Sequence, residues 1–310
     1  MRSHPAIPEA VHEMFEEAQL YAPVTTGEDG EAEVHLASDH PGVNDPVYRA
    51  RRNAIATLAL QWQPGQPIPH AEYTDEEQDV WRQVSRELAV LHRTLACREY
   101  QAGAERLGLP GDHIPQLDEV TEWLEPLTGF RYVPAAGLVP LREFYGSLAD
   151  SRFYSTQYIR HHSVPLYTPE PDVVHEVVGH ANCLASDRFA ALYRAAGGAA
   201  RRVESPDALE FVSKVFWFSL EFGVLREDGM VRTYGAGLLS SYGEIQEIAH
   251  ADLRPVDIAR MGVQTYDITH YQPLLFCAES FEHVEDVVGG FFDTVDDELV
   301  SELTAHPAGV

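Results

Sequence analysis

The sequence predicts a mainly α-helical protein carrying small β strands and hairpins. Long stretches repeat apolar residues at helical intervals and open on capping residues. The extended runs are short and bounded by Gly, Pro and Asp. Neither an internal repeat nor strand–helix alternation at βαβ spacing is visible. With 310 residues, 45 % of them apolar, the chain has material for one large domain with a sizeable core.

Taken in order, residues 24–45 are polar and turn-rich and read as a loop. A helix follows, with Asp45 as its cap and Pro46 in its first position. Thr74 and Glu77 form a capping box that opens a long helix running to Gly108. "QLDEVTEWLEPL" (116–127) is a further amphipathic segment, and "GFRYVP" (129–134) is short and extended. "DVVHEVVGHANCLA" and "DRFAALYRAAGGAARRV" read as two helices with a break near Ser186. Ser205 and Pro206 start another helix, expected to run through about Phe222. "GVLREDGMVRTYG" (223–235) reads as a hairpin turning at Asp228-Gly229.

Charge narrows the function. Acids outnumber bases 49 to 22, for a net charge of −27, and Lys214 is the only lysine. Such a surface repels phosphate backbones and anionic lipid, which argues against nucleic-acid and membrane partners. No apolar run approaches the roughly 18 residues that span a bilayer. The N-terminus lacks the apolar stretch of a signal peptide, and Cys97, Cys183 and Cys277 form no disulfide framework or zinc ribbon. A cytoplasmic location is expected.

The chemistry concentrates in "PDVVHEVVGHANCL" (171–184). His175 and His180 stand five residues apart, with Glu176 beside the first. A zinc hydrolase using Glu176 as base would need the H-E-x-x-H spacing of four. On a regular helix, residues i and i+5 point about 140° apart. Both histidines reach one metal only where the backbone is irregular, and Gly179 is the residue expected to permit that. Two unrelated helical histidines are the plain alternative. A third residue weighs against it: Glu221 lies inside the apolar run "FWFSLEFGVL". A buried carboxylate needs a partner or a cation. Two imidazoles and one carboxylate make the facial triad of non-haem iron(II), with positions left open for oxygen.

At these residues the sequence resembles the pterin-dependent aromatic amino acid hydroxylases, over roughly residues 34–295. The blocks that carry the resemblance are "DHPGVNDPVYRARR", "GQPIPHAEYTDEE", "IPQLDEVTEWL", "TGFRYVPAAGL", "STQYIRHHSVPLYTPEPDVVHEVVGH", "FWFSLEFG", "YGAGLLSSYGE" and "YQPLLF", in that order. The resemblance implies that family's catalytic-domain fold. It implies iron bound by His175, His180 and Glu221, with tetrahydrobiopterin or a related tetrahydropterin as cofactor and O2 as co-substrate. Arg160 matches the arginine that pairs the amino acid carboxylate, and Asp172 the acid that orients it. Thr168, Gly237 and Ser240 match substrate contacts; Pro171 and Trp217 match walls of the ring pocket. Gly137, Val139 and Phe144 match pterin contacts, and Glu176 matches an acid near the pterin and the iron, with a catalytic role.

The expected reaction is hydroxylation of L-phenylalanine to tyrosine. Meta-hydroxylation and tyrosine or tryptophan hydroxylation are the alternatives within the family; an iron- or amino-acid-binding protein with a degenerate site is the alternative outside enzymes. The chain departs from many relatives at Ala181-Asn182-Cys183, Phe216, Tyr154 and Leu141. Residues 1–33 are expected to be an N-terminal extension, 34–295 the catalytic domain and 296–310 a short tail. A catalytic domain alone, as a monomer or weak homodimer, is the expected form.

Overall fold

Helices carry most of the chain in a computed structural model, which describes residues 22–305 apart from 28–29, 138 and 268–269. Three small sheets lie among them. The helix Pro46–Gln61 starts as expected: the Asp45 carboxylate accepts the Val47 and Tyr48 N–H groups, and Pro46 occupies the first turn.

The helix that follows differs from expectation. It opens on the Thr74–Glu77 capping box but stops at Leu95, and a second helix, Arg98–Leu107, continues to a left-handed Gly108. The break has a tertiary cause. The Cys97 N–H is given to the Thr233 carbonyl, and Cys97 Sγ caps the new helix by accepting from the Tyr100 N–H. Trp81, Val84 and Leu88 line one face of the first helix and are fully buried. Each contributes about 1.5–3 kcal/mol by leaving water.

Three further elements depart from the sequence reading. Within the expected loop, β1 (Val24–Thr26) and β2 (Ala32–Val34) form an antiparallel hairpin against the helix Pro46–Gln61. Next, β3 (Arg131–Pro134) is joined to β4 (Arg152–Ser155) through the helix Leu141–Ala149, and the two strands are parallel. That is a short βαβ unit where none was expected; strands of four residues leave too little alternation to be recognised. The mixed third sheet is ordered β6-β5-β8-β7, from β5 (Val224–Glu227), β6 (Met230–Thr233), β7 (Asp252–Pro255) and β8 (Leu274–Ala278). The β5–β6 hairpin turns at Asp228-Gly229 with positive φ at both, as expected.

The two segments that carry the expected metal ligands are π-helical. His175–Ala181 is one and Trp217–Glu221 the other, the latter ending the helix Pro206–Phe216. Hydrogen bonding from i to i+5 brings residue 180 over residue 175. This is the irregularity that the five-residue spacing required. Gly179 contributes differently from the expectation: a Cβ there would meet the Ala236 carbonyl at 2.8 Å. Its smallness admits the helix Ala236–Ser240, rather than supplying backbone freedom.

Candidate active site

His175, His180 and Glu221 come together although the third lies forty residues on. One ligating atom from each falls within 4.8 Å of the others. The two Nε2 atoms are 2.9 Å apart, and the Glu221 carboxylate oxygens lie 3.2 Å from His180 and 3.8 Å from His175. Two nitrogens bound at right angles at about 2.1 Å would stand about 3.0 Å apart.

The neighbours fix which ring nitrogen faces the cluster. Ser240 Oγ donates to the Gly237 carbonyl, so its oxygen is left to accept from His175 Nδ1–H at 2.9 Å. Tyr193 OH lies 2.8 Å from His180 Nδ1 and accepts in the same way. Both Nε2 lone pairs then point inward, at a carboxylate. Burial, then the neighbouring His180, hold His175 down at a pKa of about 4, so its ring is neutral. Burial alone would raise Glu221, but His180, His175 and the Gly237 N–H outweigh it and keep the carboxylate ionised. Converging lone pairs with no proton between them are stable around a cation. Two nitrogens and one oxygen suit iron(II), and the donor set passes that test.

Beside this cluster Arg160 and Asp172 form a buried two-pronged pair. Arg160 Nε and Nη2 each donate to Asp172 at 2.8 Å, and the Arg160 backbone N–H donates to it as well. Asp172 also accepts from the His175 N–H, which ties the arginine to the first π-helical turn. Arg160 Nη1 has no hydrogen-bond partner among the described residues, which leaves that edge of the fork for a carboxylate.

The remaining expected residues divide. Gly137, Val139, Phe144, Pro171 and Glu176 line one cavity of about 60 Å³, under the β1 side chain of Val24. The first three and Glu176 are the expected pterin residues; Pro171, expected at the amino acid ring, shares their cavity. As it stands, the cavity is below the roughly 300 Å³ of small-molecule pockets, and Ala22 and Val24 are its outer wall. Its lining suits a flat polar ring: an aromatic face at Phe144, a glycine, and a carboxylic acid. Burial pushes the Glu176 carboxyl well above the usual range, and the Glu221 charge adds to this. The Thr156 hydroxyl donates to this carboxyl group at 3.3 Å.

Trp217 stacks on Tyr266 at 4.3 Å and packs against Phe222 at 4.5 Å. The Thr168 hydroxyl donates to the Glu170 carbonyl within its own turn. Gly237 is pressed on the Phe222 ring and the Glu221 carbonyl, where a Cβ would meet them at 2.8–3.0 Å. Ser240, expected at the substrate, has its hydroxyl on the His175 ring.

Sequence reasoning passed over several neighbours. Tyr193 and Thr156 were missed, as was Phe153, whose ring lies between Phe144 and His180. Tyr193 looked like an ordinary core position of its helix, and nothing in its spacing connects it to His180. Thr156 lies inside the block "STQYIRHH" and was legible there.

Comparison with known proteins identifies the family. The pattern of the family described as biopterin-dependent aromatic amino acid hydroxylase matches residues 24–306. Phenylalanine 3-hydroxylase of Streptomyces coeruleorubidus is 52 % identical over 268 residues, 86 % of this chain and 96 % of that protein. Phenylalanine-4-hydroxylase of Bos taurus is 44 % identical over 84 % of this chain, which spans 59 % of the bovine protein. Among solved structures, Chromobacterium violaceum phenylalanine hydroxylase with bound iron (III) and 7,8-dihydrobiopterin superimposes with a TM-score of 0.67. That match is at 29 % identity and covers 73 % of this chain and 84 % of the other.

Proposed function

The chain belongs to the biopterin-dependent aromatic amino acid hydroxylases, and from that premise we propose that it hydroxylates the ring of L-phenylalanine. The observation that carries the proposal is the convergence of two imidazoles and a carboxylate next to a buried arginine with a free edge. In this reading His175, His180 and Glu221 hold iron(II). Iron and a tetrahydropterin, when bound, supply the O2 activation that puts one oxygen atom on the ring.

The chain's own residues do the rest. Arg160 takes the substrate carboxylate, and Asp172 keeps the guanidinium in plane and in register with the His175 turn. Trp217, backed by Tyr266, walls the ring, and Phe144 faces the pterin from the cavity side. Glu176, held by the Thr156 hydroxyl, presents its carboxyl group to the cofactor cavity. Ser240 and Tyr193 hold the imidazoles by their outer nitrogens. Thr168 and Gly237 shape the site through the backbone they brace. Residues 34–295 form the catalytic body in this reading, with 1–33 as extension and 296–310 as tail.

Two ring positions compete. Likeness to the Streptomyces 3-hydroxylase, at 52 % identity and nearly full length, favours the meta carbon. Likeness to the 4-hydroxylases, at 42–44 %, supports the para carbon and tyrosine. Meta-tyrosine is the reading we adopt, and para-tyrosine the second. Chromatography of products formed from phenylalanine, tyrosine and tryptophan, each with Fe(II), tetrahydrobiopterin and O2, tests both levels. Hydroxylation of phenylalanine at C3 as the main product is expected. Preference for tyrosine or tryptophan would refute the substrate, and para-tyrosine alone would refute the position.

A further inference from the structure

The π-helical turn His175–Ala181, which carries both imidazoles, has no evident cause in its own residues. Its middle, Val177-Val178-Gly179, offers no polar side chain to the backbone. The chain returns to α geometry at once, with the Ala185 N–H on the Ala181 carbonyl at 3.0 Å. A π turn inserted in a helix is rare and commonly marks a functional site. What holds this one comes from outside it.

Three buried side chains donate to two of its carbonyls. The Tyr132 hydroxyl, on β3, donates to the Glu176 carbonyl at 2.6 Å. The Tyr100 hydroxyl, on the helix Arg98–Leu107, donates to the Val178 carbonyl at 2.8 Å. Asn182 Nδ2 donates to that same carbonyl at 3.0 Å and to the Tyr100 oxygen at 3.1 Å. Gly103 lets the Tyr100 helix come this close, since a Cβ there would lie 2.3 Å from the Asn182 carbonyl oxygen. Tyr100 is braced in turn: its hydroxyl lies 3.3 Å from His92 Nδ1, and His92 Nε2 donates to the Leu239 carbonyl, next to the Ser240 that holds His175. In an α-helix the Glu176 and Val178 carbonyls would accept from the N–H groups four residues on, those of His180 and Asn182. A side chain inserted into that ladder is one of the few causes of a local departure from it.

We propose that Tyr100, Tyr132 and Asn182 are positioning residues for the iron: by taking the Glu176 and Val178 carbonyls they hold the π register that sets His180 over His175. The inference rests on the reading of His175, His180 and Glu221 as the iron ligands. Both gripped carbonyls lie between the two histidines in sequence, where the register is decided. With the donors removed, the turn relaxes toward an α-helix, in which residues five apart point about 140° apart and His180 leaves the cluster.

The test is the iron(II) affinity of the full chain, measured by anaerobic equilibrium dialysis and so read apart from turnover. Tyr100→Phe and Tyr132→Phe each remove one oxygen and keep the ring. Each should weaken iron(II) binding by roughly threefold or more, and the double variant by roughly tenfold or more, the order typical of groups that orient metal ligands. Cobalt(II) in place of iron should give a shifted visible spectrum in the double variant, since its bands follow ligand geometry. Thr128→Val is the control for lost stability alone: the Thr128 hydroxyl donates to the Leu184 carbonyl at 2.7 Å, just beyond the π turn. It should lower the unfolding midpoint and leave the iron affinity unchanged. Wild-type affinity in the double variant, or an equal weakening in Thr128→Val, overturns the positioning role. Should the double variant not fold, unchanged affinity in both single variants overturns it as well. Weakened iron binding in the variants of a wild type that forms no hydroxylated amino acid would support the positioning role while refuting the proposed function.

Discussion

Ser240 and Tyr193 decide which nitrogen of each imidazole faces the metal cluster, and neither contact was legible in the sequence. Ser240 was expected at the substrate; its hydroxyl is on His175. Partners of this kind typically alter metal affinity about 10–100-fold. Tyr193→Phe should therefore weaken iron(II) binding by that order while leaving the fold intact, as equilibrium dialysis would report. An unchanged affinity would mean that packing alone sets the His180 ring. For Arg160→Lys, the lost fork should raise the KM for the amino acid far more than that for the pterin, by on the order of tenfold or more. Steady-state kinetics with each substrate varied would detect the opposite pattern if Arg160 served the pterin. Cys183 sits fully buried three residues after His180, near enough to Glu221 to feel its charge. If C3 is the position attacked, Cys183→Leu should fill this corner and shift the isomer ratio toward para. A ratio that stays fixed removes Cys183 from the control of position.

Elements were legible where a local signal exists and lost where tertiary contacts decide. Caps at Asp45 and Thr74, the Asp228-Gly229 turn and the break at Ser186 are chemical signals within a few residues, and all appear where expected. The interruption at Ala96–Cys97 is not local, since it depends on Thr233. The β3–helix–β4 unit escaped because its strands are four residues long, too short for alternation to show. The i, i+5 spacing did foretell irregular backbone, because two histidines and a carboxylate had to share one point. Close packing at the element level gives a sharp prediction at Gly197. Its missing side chain lets the helix Asp187–Arg202 touch the backbone of Leu141–Ala149, where a Cβ would lie 2.2–2.9 Å from three backbone atoms. Gly197→Ala should destabilise the protein by about 3 kcal/mol or more, at the upper end of overpacking costs, as denaturant unfolding would report.

Across the whole molecule, stability should carry the mark of His92. It is buried between the two long helices and the Ala236–Ser240 helix, with its Nε2 2.7 Å from the Leu239 carbonyl. Burial lowers its pKa to about 4. The unfolded chain, titrating near 6.5, binds more protons between those values. Stability is therefore full above about pH 6.5 and falls as the pH drops toward 4, by on the order of 3 kcal/mol from this residue. His92→Gln should flatten that part of the curve, and an unaltered slope would assign it to other groups. The overall class, mainly helical with small sheets, followed from periodicity; how distant segments meet at one iron-sized point did not, because no spacing in the chain encodes the forty residues between His180 and Glu221.

The most direct test of the account is an anaerobic Fe(II) titration of the metal-free chain, followed by addition of O2, tetrahydrobiopterin and phenylalanine. Wild type should bind one iron per chain and form hydroxylated phenylalanine as pterin is consumed. Glu221→Ala should bind iron much more weakly and form no product, since three protein ligands leave none to spare. Near-normal turnover by Glu221→Ala, or iron binding by wild type with no hydroxylated amino acid, would contradict it.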